Sequence, residues 1–312
     1  MNQGESSLHS ILALLDDGLS LYRRNFVGFV LITASWCVPL AIVSGLSVVA
    51  ASWLEGGWPA LLLLGAALLL VPLSIYLVGG LSRAAAAAAA GEPVRFRSAM
   101  AIRPLRAAGM GCFALLYSVA AQVVTSALSL LCICPLYVAG FAFAGVLAGS
   151  GAASAAPAGI VLFGVFLLGF YGSLMVSGAS GSGLFYGLQP WVQESRSFGA
   201  SLQRSVDLIA FRFLQNLAVW LLAALLLAAG GLTVTATIGT LLPLPLTYAL
   251  GADSPVARAV SLGAWLIGLM VVLPPMPIWM ALLYRRNRAA YEGEELAERV
   301  RVWETRDMRQ ET

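Results

Sequence analysis

Long uncharged runs alternate along the chain with short stretches where arginine and acidic residues cluster. The uncharged runs occupy residues 26–50, 58–82, 107–131, 158–188, 213–239 and 259–284. Each is longer than the roughly 20 residues a helix needs to cross a bilayer core. The pattern therefore predicts an all-α polytopic membrane protein with six transmembrane helices. The stretch 132–148, "CICPLYVAGFAFAGVLA", is too short to cross separately and reads as an extension of the third helix kinked at Pro135. A re-entrant segment is the alternative. Residues 1–284 form the membrane domain on this reading. Residues 285–312 form a charged tail, expected to be helical, with Leu296, Val300 and Trp303 on one face and Glu295 and Arg299 four apart.

Before the first span, "SLHSILALLDDGLSLYRRNF" places Leu8, Ile11, Leu12, Leu15, Leu19, Tyr22 and Phe26 at helical spacing, opposite Ser10, Asp16, Asp17, Ser20 and Arg24. This predicts an amphipathic helix lying on the inner membrane surface. Before the fifth span, Phe198, Leu202, Val206, Ile209 and Phe213 share a face in the same way. "RFRSAMAIRPLRA", before the third, is a weaker copy broken by Pro104. The chain thus reads as three weak repeats, each an amphipathic helix followed by a membrane hairpin.

Composition supports the membrane assignment. Only 11% of the 312 residues are charged and mean hydropathy is +0.87, where a soluble domain carries about a quarter charged residues. Asp16, Asp17, Arg23 and Arg24 break any signal-peptide core near the start. All 18 basic residues are arginine. On a six-span count, Arg258 alone falls on one side. The other side takes Arg23 and Arg24, the five from Arg83 to Arg106, Arg196, Arg204 and Arg212, and the seven from Arg285 to Arg309. The positive-inside rule then makes both termini and the two long loops cytoplasmic, in a multi-pass cell-membrane protein. Trp53 and Trp58 bracket the first outer linker as interfacial aromatics.

Three stretches together resemble a broad prokaryotic family of six-helix membrane proteins, the glycerophosphoryl diester phosphodiesterase membrane domain and its uncharacterised relatives. They are "GGLSRAAAAAAAGEPVRF", "LQPWVQESRSFGASLQRSVDLIAFRF" and "LLYRRNRAAYEGEEL". The family's loose pattern is matched by Pro190, Glu194 and Ser201 to Ser205 in the second. In the third it is matched by Tyr284, Arg288, Glu292 and Gly293, with Ala290 where many relatives carry a second arginine. In members that hydrolyse glycerophosphodiesters a separate soluble domain carries the chemistry, so the resemblance implies the membrane part alone and no enzymatic activity.

The six runs carry no charged residue, which argues against proton or ion coupling. Their polar exceptions, Gln122, Asn216, Thr233, Thr235, Thr237 and Thr240, fit interhelical hydrogen bonding. Gly169, Ser173, Ser177 and Gly181 recur every four residues, a stripe for close helix packing, or, with "SGASGSG" at 177–183, a site where the helix breaks around a substrate. Pro274, Pro275 and Pro277 predict a kink in the last span. Arg95, Arg97, Arg103, Arg106, Arg196, Arg204, Arg212, Arg285, Arg286 and Arg288 form a candidate cytoplasmic surface for anionic lipid headgroups or a protein partner. His9 is the sole histidine and no carboxylate lies near the four cysteines, which argues against a metal. No motif calls for a cofactor, a nucleic acid or a catalytic triad. The expectation is a non-enzymatic scaffold or accessory subunit that organises lipid or a partner. A transporter or flippase for an amphiphile is the alternative, and a lipid-acting enzyme comes third.

Overall fold

The computed structural model describes residues 3–51, 58–128, 130–131, 134–149, 155–194, 197–251 and 254–293. Among these residues every regular element is a helix: α1 (Gln3–Arg24), α2 (Phe26–Ala51), α3 (Trp58–Ala89), α4 (Phe96–Met100), α5 (Pro104–Leu128), α6 (Cys134–Gly149), α7 (Ala155–Gly187), α8 (Gln189–Gln193), α9 (Phe198–Ala210), α10 (Phe213–Leu241), α11 (Leu244–Leu250), α12 (Pro255–Val272) and α13 (Pro275–Glu292). Five stretches are long and apolar enough to cross a membrane: Phe26–Ser47, Pro104–Leu128, Gly159–Gln193, Phe213–Leu250 and Pro255–Glu292. The expected second span corresponds to α3, 32 residues long, or about 48 Å at 1.5 Å per residue. Large apolar side chains such as Leu115, Val146, Ile160 and Leu214 stand exposed on the outer helix faces, as a lipid-facing surface requires. The predicted tail from 294 onward, with Leu296, Val300 and Trp303, lies outside the described residues, as do Arg196 and Trp53. Helix α13 runs past the expected boundary at 284 to Glu292 and ends at Gly293, whose φ of 72° is the left-handed cap glycine adopts readily.

The last span divides where its prolines predict. Helix α12 stops at Val272 and α13 starts at Pro275. Proline has no N–H, so Pro274 and Pro275 leave the carbonyls of Met270 and Val271, four residues earlier, without their helical donors. Neighbouring helices supply replacements, with Thr33 Oγ1 donating to Met270 O at 3.1 Å and Tyr22 Oη to Val271 O at 2.7 Å. The break thereby fixes α1 and α2 against α12 and lets α13 enter the middle of the molecule. There Ile278, Met280, Ala281 and Tyr284 are fully buried, against α1, α3, α7 and α10.

The amphipathic helices differ from expectation in what covers them, and α9 also in which face it hides. Helix α1 packs on α13 through Ile11, Leu14, Leu15, Gly18 and Tyr22, while Leu12 and Phe26 of the predicted stripe are exposed. Trp279 lies over Gly18 and its Nε1 donates to Leu15 O at 2.9 Å. The indole thus occupies the face that the sequence assigns to lipid. In α9 the buried residues are Ser201, Arg204, Ser205 and Leu208, and Phe198, Val206 and Phe213 point outward. The small serines permit this rotation, since Ser205 Oγ donates to Gly187 O at 2.7 Å and seats α9 on α7. Helix α4 keeps only five residues and rests on α3.

Helices α5 and α6 follow one line along α7. Phe113 and Tyr117 of α5 meet Gly187 and Gly183, and Tyr137 and Gly140 of α6 meet Gly169 and Val165. Numbers rise on one partner as they fall on the other, so both helices run antiparallel to α7. The described parts of both helices thus share one direction along α7, while 129, 132 and 133, where they join, lie outside the described residues. Helix α7 is continuous from Ala155 to Gly187, so "SGASGSG" does not break. Gly169 packs as predicted, but Ser173 and Ser177 are exposed. The closest approach to α10 is made by Gly178, where an added Cβ would stand 2.7 Å from Ala224 Cβ.

Candidate functional site

The predicted arginine surface resolves into parts with different surroundings. At the first, the loop after α8, helix α9 and the end of α13 converge. Glu194 is 8% exposed and Arg204 8%, burial that charged side chains tolerate only when paired. Arg204 pairs with Glu292 and its Nε lies 4.0 Å from Glu194 Oε1. Tyr284 Oη donates to Glu194 Oε1. Arg288 Nε stands 3.0 Å from Glu292 Oε2 and 3.8 Å from Glu194 Oε1. Arg204 also lies over the Tyr291 ring, 4.8 Å from its centroid. Among the described residues two guanidinium groups face two carboxylates, so their charges balance.

Directly beneath it runs a neutral layer. Asn287 Nδ2 donates to Tyr186 Oη at 2.8 Å and to Asn216 Oδ1 at 2.7 Å. Asn216 Nδ2 reaches Phe211 O at 2.8 Å and Leu208 O at 3.3 Å, and Tyr186 Oη donates to Leu208 O at 3.2 Å. Leu208 is among the last residues of α9, whose terminal carbonyls lack helical donors. Asn216 and Tyr186 supply those donors and join α7, α9, α10 and α13. Asn216 therefore fulfils the predicted interhelical role. Thr233, Thr237 and Thr240 do not, because their hydroxyls return to Ala229 O, Thr233 O and Ala236 O of their own helix.

The second part lies between α3, α5 and α8. A cavity of about 320 Å³ is lined by Arg83, Ile102, Arg103, Arg106, Met110 and Trp191, together with Ala101 and Val192. Three arginines and no carboxylate appear among its described lining residues. Arg83 Nη1 donates to Ala101 O at 2.5 Å, which fixes one edge of its guanidinium. Trp191 is 6% exposed, held edge-on by Phe198 at 4.8 Å between ring centroids, and its Nε1 has no hydrogen-bond partner among the described residues.

A broader opening of about 420 Å³ beside it is lined by Arg83, Arg95 and Arg285, and also by Glu92. Arg286 is directed to Ser10 instead, and Arg97 and Arg212 are exposed, with Arg212 lying over the Phe211 ring at 5.2 Å. The structure thus brings Arg83, Arg103 and Arg106 together, places Arg95 and Arg285 in the opening beside them, assigns Arg204 and Arg288 to the ion-pair cluster, and sets Arg97, Arg212 and Arg286 apart. Glu194, Tyr284 and Glu292 were visible in the sequence only through the family pattern, and Arg83 only as a topology marker. Trp191 carried no signal, since nothing near it in sequence reveals the arginines it meets. No family model matches the chain, and no curated protein or solved structure matches it.

Proposed function

We propose that this is a non-enzymatic integral membrane protein of six spans, a scaffold whose arginine-rich cytoplasmic end organises anionic lipid. The observation that carries this reading is the cavity whose described lining holds three arginines and no carboxylate, at the end of an otherwise apolar bundle. Guanidinium groups recognise phosphate oxygens by geometry as well as charge. The resemblance to the glycerophosphoryl diester phosphodiesterase membrane domain is part of the same proposal. In its favour, Glu194, Arg204, Tyr284, Arg288 and Glu292 of two separate pattern stretches meet in one ion-pair cluster.

The test is purification with native lipid followed by mass spectrometry of what copurifies. Enrichment of anionic lipid is expected; a stoichiometric protein partner without it would move the function from lipid to partner. Orientation is checked by single-cysteine labelling of intact cells on a background without the native cysteines. Ser98→Cys is expected to resist an impermeant reagent and Ser254→Cys to react. Ser201, 1% exposed, is too buried for that use.

A second reading, transport of an amphiphile, draws on a polar cavity of about 240 Å³ between α5 and α7, lined by Ser118, Gln122, Thr125, Ser177 and Ser180 among others. Movement of a labelled lipid between leaflets of reconstituted vesicles, faster than in protein-free vesicles, would favour it over the scaffold.

A further inference from the structure

The arginine cavity is not a closed bowl. Met110, on its wall, also lines a second cavity of about 230 Å³ formed by Ser74, Ile75, Val78, Ala114, Leu184 and Leu188. Apart from Ser74 this second lining is apolar, and it lies in the seam where α5 meets α3 and α7. The two cavities meet at Met110, so a ligand reaching from the cationic cavity, the mouth, past this flexible side chain into the apolar one, the shaft, would occupy both as one slot. From Arg106 to Ala114 the slot follows eight residues of α5, about 12 Å at 1.5 Å per residue. One leaflet of a bilayer core is about 15 Å deep. The shaft itself, from Met110 to Ala114, covers four of those residues, about 6 Å, room for the upper part of an acyl chain from the leaflet in which the mouth opens.

We infer that this slot holds one anionic phospholipid of the adjacent leaflet, its phosphate among Arg83, Arg103 and Arg106 and an acyl chain between Ile75, Val78, Ala114 and Leu184. This deepens the scaffold reading and rests on it. Charge complementarity selects the headgroup, because three guanidinium groups share the mouth and no carboxylate is among its described lining residues. The apolar shaft distinguishes a lipid from a free phosphate, which would make no use of it. Exposed surface arginines attract anionic lipid only diffusely. A slot that fixes both ends of the molecule predicts saturation at one lipid per chain.

Native mass spectrometry of the full chain, titrated with phosphatidylglycerol or phosphatidylcholine in detergent, tests this. Phosphatidylglycerol is expected to bind at one tightly held copy and phosphatidylcholine to be released first. Each arginine near an anionic headgroup is worth about fivefold in affinity, so Arg103→Gln with Arg106→Gln should weaken retention roughly 25-fold. Arg23→Gln with Arg97→Gln removes the same charge from exposed positions outside the cavity and should leave retention unchanged. Ala114→Phe, which fills the shaft and keeps every arginine, should also release the lipid; if it does not, the acyl-chain part of the site is wrong. Equal weakening by both arginine pairs would replace the slot with diffuse attraction. Enriched phosphatidylglycerol that neither the arginine pair in the mouth nor Ala114→Phe affects would overturn the slot while leaving the scaffold reading standing. No preference for phosphatidylglycerol in the unaltered protein would overturn both.

Discussion

Arg204 and Arg106 belong to the same arginine-rich end and carry the same charge, but their surroundings are opposite. Arg204 is buried against Glu292 and close to Glu194, with Tyr291 beneath its guanidinium plane. Arg106 lines a cavity with Arg83 and Arg103, and no described lining residue there is acidic. The first arrangement uses charge to lock helices together and leaves none to attract a ligand. The second leaves its charge unspent, and mutual repulsion among three guanidinium groups makes the empty site less favourable than a filled one. An arginine count alone treats the two alike. Only the carboxylates that fold in from distant segments separate them.

Removing a carboxylate from the ion-pair cluster should have the largest effect on stability. Glu194→Gln leaves Arg204 with one acidic partner in a buried setting and should cost about 3 kcal/mol, the lower end for breaking a buried ion pair. Unfolding in detergent, followed by helicity, measures this; a loss below about 1 kcal/mol would mean the cluster behaves as a surface pair. Next comes Asn287→Leu, which deprives Tyr186 and Asn216 of their shared partner. A loss of about 1–2 kcal/mol is expected in the same assay. Thr33→Val takes one donor from the Met270 carbonyl freed by Pro274 and should cost about 1 kcal/mol. The smallest effect belongs to the open region: without added lipid, Arg103→Gln with Arg106→Gln should change stability by no more than about 0.5 kcal/mol, or relieve repulsion slightly.

The helical architecture was legible because it depends on run lengths. The span positions at 26–50, 107–131 and 213–239 fall on α2, α5 and α10 within a few residues, and the proline break before α13 follows from missing donors. What covers each short helix, and for α9 which face it buries, was not legible. An amphipathic pattern in α9 identifies an apolar side, but small serines and one arginine are what face α7 and α13, because Glu292 and the Gly187 carbonyl wait there. The stripe from Gly169 to Gly181 divides similarly, since periodic small residues permit contact without supplying a partner: Gly169 meets Tyr137 and Gly181 lies near Met276, while Ser177 borders a cavity. The division of the arginines depended on contacts across nearly one hundred residues, such as Arg204 with Glu292, 88 apart. No local pattern encodes that distance.

The central claim is that one region holds the fold while the other holds a lipid, and a thermal-stability measurement with and without phosphatidylglycerol tests it most directly. A ligand that binds only the folded state raises the unfolding midpoint, by a free energy that grows with the logarithm of its free concentration relative to Kd. The unaltered protein should gain stability from phosphatidylglycerol and little from phosphatidylcholine. Glu194→Gln should start from a lower midpoint yet keep the full lipid-dependent rise. Arg103→Gln with Arg106→Gln should start near the unaltered midpoint and lose the rise. The opposite assignment, with the rise lost in Glu194→Gln and kept in the arginine pair, would contradict the account.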